Sequence, residues 1–175
     1  MNDAVDDNAV RACQQGDEQA YATLVQRHYR HVFALCLGMV ANVHDAEDIA
    51  QEAMLKGFSS IRKLTETERF EPWMLKIAKN LCLDFLRRQK RMKVRDAEPK
   101  IEHAKKTNDN HDLEQAIRAL PMELRLPLTM YYFEQKKAEN IARKLNISHS
   151  LVCQRIRAAR NELHALLTEG DHHES

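Results

Sequence analysis

The chain has 175 residues, which suffices for one domain of ordinary size or for two small domains. It contains four glycines, four prolines, 6% aromatic and 30% charged residues, a mixture that favours amphipathic helices over strands and turns. The formal net charge of +1 carries no nucleic-acid signal by itself, so the distribution of charge along the chain matters more.

Secreted and membrane-spanning classes are disfavoured. The acidic N-terminus lacks a signal-peptide pattern, and no apolar run approaches the length of about 18 residues that a transmembrane helix needs. The cysteines form no CxxC pair and fall within apolar helical patterns, so we expect buried, reduced thiols and neither disulfides nor zinc ligands. They are Cys13, Cys36, Cys82 and Cys153.

Three long helices are predicted in the first half of the chain. Asp17 is expected to cap the first, in which apolar residues recur every three or four positions. A break at 41–44 separates it from the second helix. Pro72 lies where the first turn of the third helix tolerates proline.

The apolar pattern fails from about Arg91 to Asp112 and then resumes with a second set of helices. Within that set, Pro127 is expected near a helix start or at a kink. We therefore predict an all-α fold with two small helical domains joined by a flexible polar linker. The predicted segments are a domain at 1–92, a linker at 93–111, a domain at 112–168 and a disordered tail at 169–175.

The segment ENIARKLNISHSLVCQRIRAAR has the layout of a helix-turn-helix, with Asn146 in the turn and Ser148 as cap of the second helix. Such a helix lies in the major groove, where Gln154 can read adenine and Arg157 can reach guanine or phosphate. The residues away from the apolar stripe are His149, Ser150, Cys153, Gln154 and Arg157, and Arg155 and Arg160 are expected to hold phosphates. The alternative is a pair of packed helices with a solvated basic face.

An acidic row lies opposite the apolar stripe of the second helix: Asp45, Asp48, Gln51 and Glu52. Paired carboxylates can act in acid–base catalysis or bind a metal, but no histidine or cysteine completes a ligand set in this row. The row is then either an ordinary solvated face or a docking surface for a basic partner.

The third helix carries a face made of Trp73, Lys76, Asn80, Asp84 and Arg87, followed by a basic tract that includes Arg88. Cations follow phosphates, rings stack on bases and amides read base edges, so this face suits single-stranded or melted DNA. The alternative is that Trp73 belongs to the core and that the tract is a solvated helix end.

Four stretches, in this order, resemble the extracytoplasmic-function (ECF) sigma factors of bacterial RNA polymerase. They are GDEQAYATLVQRHYRHVFAL, HDAEDIAQEAMLKGF, FEPWMLKIAKNLCLDFLRRQKR and LPMELRLPLTMYYFEQKKAENIARKLNISHSLVCQRIRAARNEL, and they cover most of the chain except the termini and the linker. The second and third are specific together, whereas the fourth alone fits many helix-turn-helix proteins. The resemblance implies a polymerase subunit that is not an enzyme itself.

The resemblance also assigns roles to residues. The clamp helices of the polymerase core would be bound by Asp45, Asp48, Gln51 and Glu52. The −10 element would be recognised and melted by Lys63, Trp73, Lys76, Asn80, Arg87 and Arg88, with the loop Lys63–Arg69 as the pocket for an extruded base. The −35 duplex would be read by Glu139, Ser148, His149, Ser150, Cys153, Gln154, Arg155 and Arg157. The linker would thread the RNA-exit path of the polymerase.

Three departures from the family pattern concern the −35 reader. Gln135-Lys136-Lys137 replaces the usual Gly-hydrophobic-Ser/Thr, which removes a cap and puts positive charge at a helix N-terminus. Asn146 replaces the turn glycine, and Leu151 and Cys153 replace small polar and basic residues. We therefore expect an altered or weaker −35 preference.

The expected function is that of an ECF sigma factor, which binds core polymerase and directs promoter-specific initiation by reading the −35 duplex and melting the −10 element. The alternative is a sigma-like mimic that sequesters an anti-sigma factor without opening DNA. No cofactor and no metal are expected, and an enzyme built on the acidic row or on the His172-His173 tail is disfavoured. The expected partners are core polymerase, promoter DNA and an anti-sigma factor, in the cytoplasm, where the anti-sigma factor could hold the protein at the membrane.

Overall fold

The structure, a computed structural model, describes residues 3–65, 69–95, 109–134 and 137–170. These ranges hold eight α-helices, one short 3-10 helix and no strand, which confirms the predicted all-α fold. The α-helices are α1 (Asp3–Gln14), α2 (Glu18–Val40), α3 (Val43–Ser60), α4 (Phe70–Arg95), α5 (Asp109–Ala119), α6 (Met122–Glu134), α7 (Ala138–Leu145) and α8 (His149–Gly170). The 3-10 helix, Ile61–Lys63, directly follows α3.

Helices α1 to α4 form an N-terminal bundle with α2 at its centre. Leu24 of α2 and Met74 of α4 are among the fully enclosed side chains of its core. Asp17 caps α2 as predicted, because its carboxylate accepts hydrogen bonds from two N–H groups of the first turn. The bundle thus places α3 and α4 side by side on one central helix.

Helices α5 to α8 form a second unit with its own core, which includes Leu120 and Ile141. Its α7 and α8 make up the predicted helix-turn-helix. Asn146 ends α7 in the left-handed conformation, at φ 54°, and the hydroxyl of Ser148 accepts a hydrogen bond from the N–H of Leu151. Both turn predictions are confirmed.

Several details differ from the predictions made from the sequence. Helical structure extends into both ends of the predicted linker, since α4 reaches Arg95 and α5 begins at Asp109. Helix α8 reaches Gly170 and so includes the first two residues of the predicted tail at 169–175, while residues 96–108 and 171–175 lie outside the described ranges. Pro127, which was expected near a helix start or at a kink, lies inside α6 in its second turn. Cys153 is exposed, because it points away from the apolar stripe of α8, whereas the other three cysteines are buried as expected.

The two units pack against each other, with α6 lying along α2. At the centre of the contact is Arg125, a buried residue of α6 whose guanidinium donates hydrogen bonds to four backbone carbonyls. Two belong to Gly38 and Met39 at the C-terminal end of α2, and two belong to Arg118 and Leu120 at the end of α5. The last carbonyls of a helix lack intrahelical partners and carry partial negative charge, so one cation satisfies the ends of two helices.

The close approach of α2 and α6 depends on Gly38. A Cβ atom at this position would lie 2.7 Å from the hydroxyl oxygen of Thr129 and 2.8 Å from the backbone of α6. Around this point, the Thr129 hydroxyl donates a 3.1 Å hydrogen bond to the carbonyl of Ala34, and the rings of Phe33 and Phe133 pack edge to face at 5.3 Å. The contact between the units is therefore specific and tightly packed.

A second tie between the units joins Lys144 of α7 to Glu71 of α4, with 2.7 Å between Nζ and Oε1. Nδ1 of His31, on α2, lies 2.6 Å from the same carboxylate oxygen. Burial alone would raise the pKa of Glu71, but its contacts with His31 and Lys144 outweigh burial and hold the pKa far below its ordinary value. Glu71 is therefore an ionised carboxylate over the whole physiological pH range.

We predict that Gly38→Ala separates the two units without unfolding the N-terminal bundle. Alanine favours a helix over glycine by about 0.8–1.0 kcal/mol, but its methyl group would overlap α6. Small-angle X-ray scattering should therefore show a larger radius of gyration, while helical content by circular dichroism is kept. Gln26→Ala, at an exposed position of α2, is the control. A scattering profile of Gly38→Ala identical to that of the parent would contradict this account of the contact.

Candidate docking surface and nucleic-acid interface

The acidic row predicted on the second helix lies on α3, which begins next to the turn from α2. Asp48, Gln51 and Glu52 are exposed and Asp45 is partly exposed. The side chain of Asn42 caps the helix by accepting a hydrogen bond from the N–H of Asp45. We call these four predicted residues the acidic face of α3, and helical geometry gives it one continuous solvent-accessible surface.

Leu55 extends the acidic face and was not among the predicted residues. It lies three and four positions after Glu52 and Gln51, and it is 71% exposed. Isolated exposed leucines are common on protein surfaces. This one lies on the same side of the helix as the carboxylates, so the face combines charge with an apolar contact point. The signal in the sequence was that Leu55 stands outside the apolar stripe of its helix.

The basic face of α4 is exposed at Lys76, Asn80, Arg87 and Arg88. Trp73 is half-buried, with its ring 6.0 Å from that of Phe70, so it packs at the edge of the core and keeps part of its surface open. Arg87 pairs with Asp84 at 3.2 Å, and Arg88 reaches the carbonyl of the same aspartate at 3.4 Å. The face therefore offers cations, an amide and part of an indole ring to solvent.

The loop between α3 and α4 is described only in part, because residues 66–68 of the predicted base pocket lie outside the described ranges. Lys63 is exposed at the end of the 3-10 helix. Gln14 of α1 fixes the start of the loop, since its amide donates to the carbonyls of Ile61 and Leu64 at 3.1 and 2.9 Å. This role of Gln14 could not be predicted from the sequence, because its partners are backbone atoms 47 and 50 positions along the chain.

The helix-turn-helix presents an exposed face on α8. Its exposed predicted residues are Ser148, His149, Ser150, Cys153, Gln154 and Arg157, and Glu139 is exposed at the start of α7. His149 and Cys153 are one turn apart, with 3.6 Å between Nε2 and Sγ. Lys137 precedes α7 and makes no side-chain cap, as expected for the departure at this position; Gln135 and Lys136 lie outside the described ranges.

Two of the arginines predicted to hold phosphates are turned towards α6. Arg155 is half-buried, with 4.0 Å between its Nη2 and Oε2 of Glu123. The guanidinium of Arg160 lies 5.4 and 5.5 Å from the ring centres of Tyr131 and Tyr132, which is cation–π distance. In this structure both side chains contact α6, although Arg160 is exposed to solvent, as are Gln154 and Arg157.

No described helix combines the length and the hydrophobicity that crossing a membrane requires. Two family models match the chain: Sigma-70 region 2 over residues 24–92, and Sigma-70 region 4 over residues 110–163. The first spans most of the N-terminal bundle and the second spans most of the unit that carries the helix-turn-helix.

Similar proteins and structures belong to the same group. RNA polymerase sigma factor SigV of Bacillus subtilis is 31% identical over 85% of this chain and 92% of its own length. ECF RNA polymerase sigma factor SigW of the same organism is 28% identical over 91% of this chain and 95% of its own.

Two solved structures share the fold. The sigma factor RpoE of Bartonella quintana, solved with the anti-sigma factor NepR, has a TM-score of 0.64 at 18% identity and covers 85% of this chain and 96% of its own. CnrH, solved with the cytosolic domain of CnrY, has a TM-score of 0.63 at 20% identity and covers 94% and 98%.

The two family models follow one another in the order of the acidic face, the basic face and the helix-turn-helix. The identity and coverage of the relative from Bacillus subtilis extend that agreement over nearly the whole chain. Members of this group are transcription initiation factors and not enzymes. The chain belongs to the ECF family of RNA polymerase sigma factors.

Proposed function

We propose that this protein binds core RNA polymerase through the acidic face of α3, melts the −10 element with the basic face of α4, and reads the −35 duplex with α8. The observation that carries the proposal is that all three faces are solvent-exposed while the remaining side of each helix is buried in a core. Each of the three helices keeps one charged or polar face exposed to solvent. Three separate faces fit binding to polymerase, to the −10 element and to the −35 duplex better than they fit an ordinary solvated surface.

The contact with polymerase is proposed to combine charge and apolar area. Asp48 and Glu52 would attract basic side chains, which speeds encounter and fixes orientation. Leu55 would then be covered, and burying its side chain would contribute about 1.5–3 kcal/mol. The acidic face alone would be an ordinary solvated surface, so the exposed leucine favours docking.

Reading both promoter elements requires the two units to separate. About 25 base pairs, or roughly 85 Å of B-form DNA, lie between the centres of the −10 and −35 elements. A compact chain of 175 residues has a radius of gyration of only about 16 Å. Residues 96–108, when fully extended, can span about 45 Å. The packed arrangement of α2 and α6 is therefore proposed to be the unbound state, which opens on polymerase.

The second candidate, a sigma-like mimic that only sequesters an anti-sigma factor, is favoured less. A mimic has no need for the exposed Asn80 next to exposed cations, because an anti-sigma factor has no bases to read. Regulation by an anti-sigma factor is proposed in addition, by analogy with RpoE and CnrH, which were solved with bound partners. That partner would hold the protein in the cytoplasm or at the inner face of the membrane.

Replacing Asp48 and Glu52 together by alanine should weaken binding to core polymerase at least about tenfold, because two charges at one interface are lost. Fluorescence anisotropy of the labelled protein with core enzyme measures this, and the loss should shrink at high salt. The matched control replaces Asp7 and Glu114, which are exposed acidic residues on α1 and α5. Equal affinities for the two double variants would show that the acidic face is not the docking surface.

Asn80→Ala should lower open-complex formation at a double-stranded promoter while leaving core binding unchanged. The amide is proposed to bind a base of the melted strand, and such contacts exist only after unpairing. A promoter carrying a pre-melted −10 bubble should restore most of the rate. Permanganate footprinting measures the opening, with Asn161→Ala, an exposed asparagine of α8, as control. If Asn80→Ala opens duplex promoters at the parent rate, the −10 assignment is wrong.

Gln154→Ala should relax the preference at one −35 base pair by about 1–3 kcal/mol and change affinity for other sequences little. If Arg157 contacts a phosphate, Arg157→Ala should weaken binding to all sequences. If Arg157 contacts a guanine, the loss should be confined to promoters that carry this base. Selection from a promoter library with a randomised −35 element measures both effects, with Gln26→Ala as control. An unchanged base preference for Gln154→Ala would remove this residue from the readout.

A further inference from the structure

A cluster of two histidines and a glutamate lies where the N-terminal bundle meets α7. His28 and His31 are three positions apart on α2, so their rings project from the same side of the helix, and Glu71 is in the first turn of α4. One ligand atom from each residue lies within 4.8 Å of the other two. The cluster is enclosed, since His28 is only 5% exposed and the other two are partly buried.

The imidazole nitrogens of this cluster are available as ligands. Nε2 of His28 lies 2.9 Å from Oδ2 of Asp6, which leaves Nδ1 as the second ring nitrogen, and that atom is buried without a hydrogen-bond partner. Nδ1 of His31 lies 2.6 Å from Oε1 of Glu71, so it already faces the carboxylate that would share the ion. A buried polar atom without a partner costs about 1–3 kcal/mol, so Nδ1 of His28 calls for an explanation.

We propose that His28, His31 and Glu71 form a binding site for a divalent transition-metal ion of the Zn²⁺ class, with the Lys144 ammonium group as an internal competitor. The proposal is independent of promoter recognition. Two imidazoles and one carboxylate suit Zn²⁺ and its neighbours in the first transition series, whereas Mg²⁺ and Ca²⁺ prefer oxygen ligands alone. Water would complete the coordination, as in other sites with three protein ligands.

Asp6 would position His28 and would not bind the ion. A carboxylate on the far ring nitrogen fixes the tautomer and orientation of a metal-binding histidine, and this is the relation between Asp6 and His28. The other oxygen of Asp6 lies 2.9 Å from Nη1 of Arg27, which holds the carboxylate in place. Ligand atoms about 2.0 Å from a tetrahedral ion lie about 3.3 Å from one another. Nδ1 of His31 and Oε1 of Glu71 would therefore have to move apart from 2.6 Å, and pairs as far apart as 4.8 Å would have to close, which are shifts that side-chain rotation can supply.

The positively charged ammonium group of Lys144 contacts the same carboxylate that would bind the metal ion. This group is 2.7 Å from Oε1 of Glu71, the oxygen that His31 also approaches. A divalent cation on this oxygen would repel the ammonium and displace it, which would break one of the ties between α7 and α4. The sequence did not indicate this cluster, because the carboxylate of Glu71 lies 40 positions after His31 and belongs to no local pattern with it.

Isothermal titration calorimetry of the full chain with Zn²⁺ tests this proposal. The background should carry His172→Ala, His173→Ala and Cys153→Ser, since the tail histidines and the exposed His149–Cys153 pair could bind the ion elsewhere. We expect one site per chain in this background. His31→Gln and Glu71→Gln should each lower the affinity more than about a hundredfold, and Asp6→Asn, which acts through His28, by about ten- to a hundredfold.

Lys144→Met separates a metal site from a merely structural cluster. Removal of the competing cation should raise the Zn²⁺ affinity. Unchanged helical content by circular dichroism shows that the gain does not come from Cys13, Cys36 and Cys82, which are buried in the folded chain and would bind the ion if it unfolded. His44→Ala, which removes an exposed histidine of α3, should leave binding unchanged. Co²⁺ should bind with the visible absorption of a four-coordinate ion, and His31→Gln should abolish this absorption.

Two results would overturn the proposal. Parent-like Zn²⁺ affinity in both His31→Gln and Glu71→Gln, with helical content intact by circular dichroism, would exclude these ligands. Absence of Zn²⁺ binding in the Lys144→Met protein, where the cluster is least obstructed, would exclude the site altogether. Unchanged affinity in Lys144→Met, with binding lost in the other two variants, would overturn the competition with Lys144.

Discussion

The arrangement of this molecule depends on one buried cation. The guanidinium of Arg125 satisfies carbonyls at the C-terminal ends of α2 and α5, which belong to different units. Hydrogen bonds from a charged donor contribute about 1.5–3 kcal/mol each, and burial lowers the pKa of Arg125 without removing its charge. Because these bonds need fixed distances, they determine how far α6 stands from α2, and Gly38 has no side chain to prevent that approach.

The same contact makes the packed form reversible. Its polar groups include main-chain carbonyls, the Arg125 guanidinium and the Thr129 hydroxyl, all of which water can hydrate when the units separate. Its apolar part includes Leu126 and the Phe33–Phe133 pair. A contact of this kind holds the two units together, and under the proposed function it opens when polymerase binds the acidic face and the promoter elements are engaged. We therefore regard the packing of α6 on α2 as a resting arrangement of an ECF sigma factor.

Local features were predictable from the sequence, whereas long-range polar contacts were not. Asp17, Asn146 and Ser148 act on neighbouring backbone groups, so residue type and position sufficed to predict their roles. Arg125 binds carbonyls of α2 that lie 87 and 86 positions away, and Gln14 binds carbonyls that lie 47 and 50 positions away. A backbone carbonyl is present at every residue, so residue types do not reveal such an acceptor. The proposed DNA-contacting and polymerase-contacting residues came from family resemblance, and their exposure is what the structure adds.

The proposed role of this protein is to direct promoter-specific initiation. Run-off transcription with purified core RNA polymerase over a randomised promoter library is the decisive measurement. We expect transcripts whose templates share a −10 and a −35 element at a fixed spacing, and no such transcripts without the protein. A protein that binds core enzyme but yields no promoter-dependent transcript on any template would not be an active sigma factor, and this result would favour a sigma-like mimic.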